Sequence, residues 1–438
     1  MRLMRGLIIA ALLLSPVAVR GEGDAEITGR SVVVGQVEGK AGDYIPDPKA
    51  PEFAGLNILD RGGPSVPNGH ATAVGRTLYG RSGLAAGVRT VYAYPVESFL
   101  GDLCLKTGQP AAPRAEDDVR LFTHSWIGQD MPGSTEILRR VDHLIDRDDV
   151  IMVVGVNNGK NTPIPALLGS AHNVIAVGVS SGNSSGGYTK VEGSGRCKPD
   201  LVAARNLTSF STPVVAAAAA RLLEAADRMA ARYPQARRAE VIKAALLTGT
   251  EKPAGWAPHP GRPLDEHLGA GSLHAGKALA ILQAGRQPAG VVNAPLGWDF
   301  SFLSPMETGK PVVVSDEAQP RRDYHFTTTE PMGEVCLTLV WHRRIDGRVI
   351  NDPITRTRLW VDHPTRADLD LELVAVGDGG AEVEVAASRS RIDNVEHVFV
   401  RDLPPGHYVA KVTRMDAGKQ AWDYALAWRM EPPAPVTP

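Results

Sequence analysis

The sequence predicts an α/β domain followed by an antiparallel β-sandwich, and three observations carry that expectation. Two β-branched runs, residues 31–38 and 150–155, read as buried strands. A run of small apolar residues at 214–220, continued by Leu222, Leu223 and Ala226, reads as a helix that is apolar nearly all round and therefore central. Beyond a linker at 288–295 the pattern changes to short alternating stretches at 334–341, 368–373, 382–385, 397–400 and 407–412, separated by Gly, Pro and Asp turns. That alternation is the signature of a two-sheet sandwich.

Along the chain, the first strand reads as buried and ends in an acid, Glu38, which is expected to emerge into a site. The segment Asn68-Gly69-His70-Ala71-Thr72-Ala73-Val74-Gly75 places a His among small residues and reads as a tightly packed helix start. The second strand run ends in an amide, Asn157. Ser209 precedes the apolar helix in Leu207-Thr208-Ser209-Phe210-Ser211-Thr212-Pro213, with Pro213 expected in the first turn, where a missing N–H costs nothing. A hydroxyl at that mouth faces the positive end of the helix dipole and free N–H groups, which favour negative charge on a carbonyl oxygen. A Ser/Thr cap on a core helix reads the same way locally. Together, an acid, a His, an amide donor and a Ser at element ends are the parts of acyl transfer.

In that order, the chain resembles the subtilisin-like serine proteases (subtilases). The His70 segment resembles their His-Gly-Thr-His-Val-Ala-Gly motif, and Gly83-Leu84-Ala85-Ala86-Gly87-Val88 its continuation. Asn157 falls where the family has Ala-Gly-Asn, followed by the similar Asn173-Val174-Ile175-Ala176-Val177-Gly178. Lys198-Pro199-Asp200-Leu201-Val202-Ala203 and the Ser209 segment resemble the approach to the family nucleophile, and Gly269-Ala270-Gly271-Ser272-Leu273-His274-Ala275 its closing motif. The resemblance implies a three-layer fold with a mostly parallel sheet over 22–288, a sandwich over 289–432 and a tail over 433–438. It implies His70 as general base, Glu38 as the orienting acid, Asn157 in the oxyanion hole and Ser209 as nucleophile. The stretch 121–128 resembles the strand that pairs with extended substrate, so Ser125, Trp126 and Gly128 are expected to bind it. A core role for Trp126 is the other reading.

The chain departs from the family at several of these positions. Glu38-Gly39 replaces an Asp turn, with Asp60 as a rival acid. Ala71 and Ala73 stand in the His motif, Val156 replaces the Gly before the amide, and Leu207 replaces a Gly, which matters if φ > 0 is required there.

The 438 residues are 43% hydrophobic and 22% charged with a net charge of −2, a globular composition that implies neither nucleic acid nor an acidic membrane as partner. Residues 1–21 read as a secretory signal: Arg2 and Arg5, then an apolar stretch too short to span a bilayer. No further spanning stretch is evident, so the mature chain is expected to be secreted or periplasmic without a membrane span. Of three cysteines, Cys104 and Cys197 are a possible disulfide, both falling in the first domain. Asp368 and Asp370 offer calcium ligands or simply alternate on a solvent face. The function expected is an exported serine endopeptidase acting on polypeptides with no cofactor required for the chemistry. The rivals are an inactive scaffold that binds through its surface, and acyl transfer to an acceptor other than water.

Overall fold

The computed structural model describes residues 26–116, 118–307, 310–311, 319–354 and 356–433. The expected signal at 1–21 and nearly all of the tail lie outside these residues. Among them, no helix is long and apolar enough to cross a membrane.

Seven strands form one sheet: Val33–Glu38 (β1), Asn57–Asp60 (β2), Thr90–Pro95 (β3), Val119–His124 (β4), Ile151–Gly155 (β5), Ile175–Val179 (β6) and Leu201–Ala203 (β7). Their order is β7-β6-β5-β4-β1-β3-β2, and every pairing is parallel. A parallel sheet is covered on both faces, which is why its strands read as near-continuous apolar runs. Side chains of β5 divide between two cores. Ile151 and Val153 join one, Met152 and Val154 the other, as strand alternation requires. The first core also takes residues of helices Thr208–Met229 (α3), Ala239–Thr248 (α4) and Ala275–Gln283 (α5); the second takes Ile137, Leu138, Val141 and Leu144 of Ser134–Asp148 (α2). The first domain therefore has the expected α/β layers.

The sandwich is also as expected. One four-stranded sheet runs in the order Leu296–Leu303, Trp422–Glu431, Met332–Val340, Val395–Leu403; the other runs Arg321–Thr328, Gly406–Arg414, Leu369–Val376, Glu382–Ser388, all antiparallel. Trp341, Trp428, Tyr324, Leu337 and Leu371 fill the space between the sheets. The polar ribbon Arg344–Asn351/Arg358–Thr365 was not anticipated. The segment at 288–295 is pinned rather than free: Gly290 N and Asn293 N donate to the carbonyls of Asp323 and His325, each at 2.8 Å.

All ten residues of α4 are buried. Arg429, on the sandwich strand Trp422–Glu431, donates to the carbonyls of Thr248 and Thr250 at 2.9 Å each and pairs with Glu334 and Glu431. The last carbonyls of a helix lack intrahelical donors, so an arginine from the second domain completes a helix of the first.

Two sequence expectations are corrected. Cys104 and Cys197 are both buried free thiols, because they lie in different cores of the sheet. Asp370 is buried at the start of its strand rather than on a solvent face.

Candidate functional site

Parallel sheets place their sites at the carboxyl ends of their strands, and the candidate residues gather there. Glu38 is the last residue of β1 and its side chain is 2% exposed. His70 stands in the first turn of Gly69–Leu78 (α1), whose N-cap Asn68 accepts from Ala71 N at 2.8 Å. Strand β1 grips that turn twice: Gln36 Nε2 donates to the Ala71 carbonyl at 2.8 Å, and Glu38 Oε2 lies 3.0 Å from His70 Nδ1. Among the described residues His70 makes no other hydrogen bond, so its Nε2 remains available.

The electrostatics of this pair follow from burial. Desolvation pushes the Glu38 carboxyl above its ordinary value, opposed by the bond to His70, the His70 charge and the backbone N–H of Ser125. Among the described residues Oε1 nonetheless makes no hydrogen bond of full geometry. The bond to Glu38 raises the His70 imidazole above its ordinary value, partly opposed by burial and helped by the Glu38 charge. The rival acid, Asp60, is engaged elsewhere, accepting from the Tyr44 hydroxyl and from Gly62 N.

The nucleophile candidate sits inside its helix rather than before it. Helix α3 begins at Thr208, which puts Ser209 in the first turn and Pro213 in the second. Leu207 is the N-cap in extended conformation (φ −132°, ψ 146°), so no glycine is needed there. A proline at 213 leaves the carbonyl of residue 209, four positions back, without its helical donor. Ser125 fills that gap: its Oγ donates to the Ser209 carbonyl at 3.0 Å. In return the Ser209 hydroxyl donates to the Ser125 carbonyl at 3.4 Å.

Ser125 therefore links the two halves of the candidate site, its N–H facing Glu38 and its carbonyl and hydroxyl holding Ser209. The His70 ring centroid lies 6.2 Å from that of Phe210, the next residue. Among the described residues the Ser209 hydroxyl bonds to Ser125 and not to His70.

Just past the end of β5, Asn157 Nδ2 donates to the Pro163 carbonyl at 2.7 Å, which leaves the second hydrogen of that amide unused among the described residues. Its neighbour Asn158 does work the sequence did not reveal. Asn158 Oδ1 accepts from Thr208 N at 2.9 Å and from Thr208 Oγ1 at 3.1 Å, capping α3 from the β5 side. A polar residue beside a strand-end amide was the available signal. The Ser209 N–H has no partner among the described residues.

The substrate-binding expectations meet a mixed geometry. Gly128 is already paired, donating to Leu167 O at 2.7 Å and accepting from Leu167 N at 3.0 Å. Its backbone is not open to an added strand. Trp126 is half-buried against the second core, with Nε1 donating to His124 Nδ1 at 3.2 Å.

Solved structures similar to this chain include the prenylagaramide maturation protease PagA, at 19% identity, TM-score 0.40, covering 57% of this chain and 93% of that one. A mutant of the protease domain of PatA is similar at 18% identity and TM-score 0.38, covering 58% and 96%. Fervidolysin from Fervidobacterium pennivorans, a keratinolytic enzyme related to subtilisin, is similar at 12% identity and TM-score 0.37, covering 90% and 74%. No family model and no curated protein matches the sequence.

Proposed function

We propose that this protein is an exported serine endopeptidase whose nucleophile is Ser209. The observation that carries the reading is the buried Glu38 holding His70 by Nδ1 at 3.0 Å, with Ser209 tied to the adjoining strand end through Ser125. Glu38 fixes the imidazole tautomer and stabilises the imidazolium. His70 takes the Ser209 proton as the hydroxyl attacks a peptide carbonyl, then returns it to the leaving amine. The free Ser209 N–H and the unused hydrogen of the Asn157 amide supply donors for the oxyanion. The 3.4 Å bond to Ser125 is a weak one, which holds the Ser209 hydroxyl only loosely. Residues 1–21 act as the export signal.

The resting hydroxyl on Ser125 favours one rival, a binding protein on an inactive scaffold. A fluorophosphonate separates the two, since it labels an activated serine and ignores a fold. The expected result is one label per chain on Ser209, lost in Ser209→Ala together with cleavage of fluorescent casein. A chain that takes no label between pH 6 and 9 rejects the enzymatic reading.

A further inference from the structure

The structure assigns a second site, far from Ser209 in the fold: a divalent transition-metal site, suited to Zn²⁺, formed by Asp146, Glu240 and His342 where the two domains meet. Asp146 lies on α2, Glu240 on α4, and His342 just after the sandwich strand Met332–Val340. One ligand atom from each, taken together, lie within 4.8 Å of one another.

Three features argue for an ion rather than a plain salt bridge. The first is spacing. His342 Nδ1 lies 3.4 Å from Asp146 Oδ1 and 3.4 Å from Glu240 Oε1. A charge-assisted N–H···O bond closes to about 2.7–2.9 Å. Ligands about 2.0–2.2 Å from a tetrahedral Zn²⁺ stand about 3.3–3.5 Å apart.

The second is lack of partners. His342 and Glu240 are 3% and 2% exposed, yet among the described residues His342 Nδ1 and Glu240 Oε2 make no hydrogen bond. Buried polar atoms left unpaired are costly, and one ion satisfies both.

The third is charge and access. Arg238, shared with Asp149, contacts Glu240 Oε1 at 3.3 Å, and with Oε2 unpartnered among the described residues the carboxylate can offer an ion either oxygen or both. Asp423, which also faces this cluster, is paired with Arg344. Asp146 is a quarter exposed and lines an open cleft with Arg344, Ile345 and Trp422, giving the ion an entry and a water its fourth position. Two carboxylates and an imidazole that gives up its proton on binding suit zinc. The ion would join two helices of the first domain to the second.

The test uses the full chain carrying Ser209→Ala, so that self-cleavage plays no part and the outcome is independent of the protease reading. After EDTA treatment and dialysis against Zn²⁺, elemental analysis is expected to find one ion per chain, and Co²⁺ in its place is expected to give the visible absorption of a tetrahedral site. His342→Gln should abolish binding. Asp146→Asn, at a partly exposed position that tolerates an isosteric change, should weaken it at least tenfold. Less than about 0.2 ions per chain overturns the proposal. So does Asp146→Asn binding with wild-type affinity, whether or not His342→Gln folds.

Discussion

Glu38→Gln separates the role of the Glu38 charge from that of its shape. In the proposed mechanism His70 accepts the Ser209 proton, and the imidazolium would form beside a carboxylate whose oxygen is 3.0 Å from Nδ1. Charge centres about 4 Å apart attract by about 4 kcal/mol at an effective dielectric constant of about 20. The His70 side chain is 42% exposed, so water screens part of that, and about 2 kcal/mol is a fair share. At 1.36 kcal/mol per decade this predicts about a 30-fold slower reaction. An amide can also turn its NH₂ toward Nδ1 and impose the wrong tautomer, which extends the loss toward about 10⁴-fold. The assay is the second-order rate of fluorophosphonate labelling from pH 5 to 9, read by intact mass, which needs no knowledge of the natural substrate.

The pH dependence has a definite sign. A general base works only when neutral, and Glu38 raises the His70 value. The wild-type rate should therefore fall on acidification with a midpoint above about 6.5, the ordinary histidine value. Removing the carboxylate moves that midpoint down while the plateau drops. Wild-type rates in Glu38→Gln, with the midpoint unmoved, would refute the assignment of Glu38.

Two further outcomes are expected. Ser125→Ala strands the Ser209 carbonyl that Pro213 cannot serve, costing about 1–3 kcal/mol in urea unfolding and slowing labelling as well; unchanged stability would deny Ser125 its anchoring role. Glu224 accepts the backbone N–H groups of Thr28, Gly29 and Arg30 at 2.8, 2.6 and 3.0 Å and pairs with Arg228. Burial pushes this carboxyl up, but those donors outweigh it and hold it below the ordinary range. Its stabilisation is complete above the unfolded-state value and is lost as pH falls through the folded one. Glu224→Gln should cost about 3 kcal/mol at pH 7 and lose that penalty in acid, which urea melts at pH 7 and pH 3 will show.

Legibility followed locality. The sheet strands were readable because burial on both faces leaves little room for polar residues, as in 151–155. The sandwich strands were readable from alternation, whereas the ribbon at 344–365 was hidden by its charged and polar residues. The start of α3 was misplaced because Pro213 reads as a first-turn residue until a donor from outside the helix is known. Glu38 and His70 lie 32 positions apart, and their pairing was inferred from order; the coordinates add the distance. Pairing of Gly128 with Leu167, capping by Asn158, and the meeting of Asp146, Glu240 and His342 depend on contacts between distant parts of the chain. No window of sequence contains them.

The buried helix α4 has a consequence for how this chain can be divided. It is a wall common to both rooms, panelled on one side by the sheet's helices and on the other by sandwich strands, with Arg429 as the bolt through it. Trimming at the apparent linker would not free a self-sufficient first half. It would lay bare an oily surface and unseat the carbonyls that Arg429 now serves, so the second half belongs to the folding unit of the first.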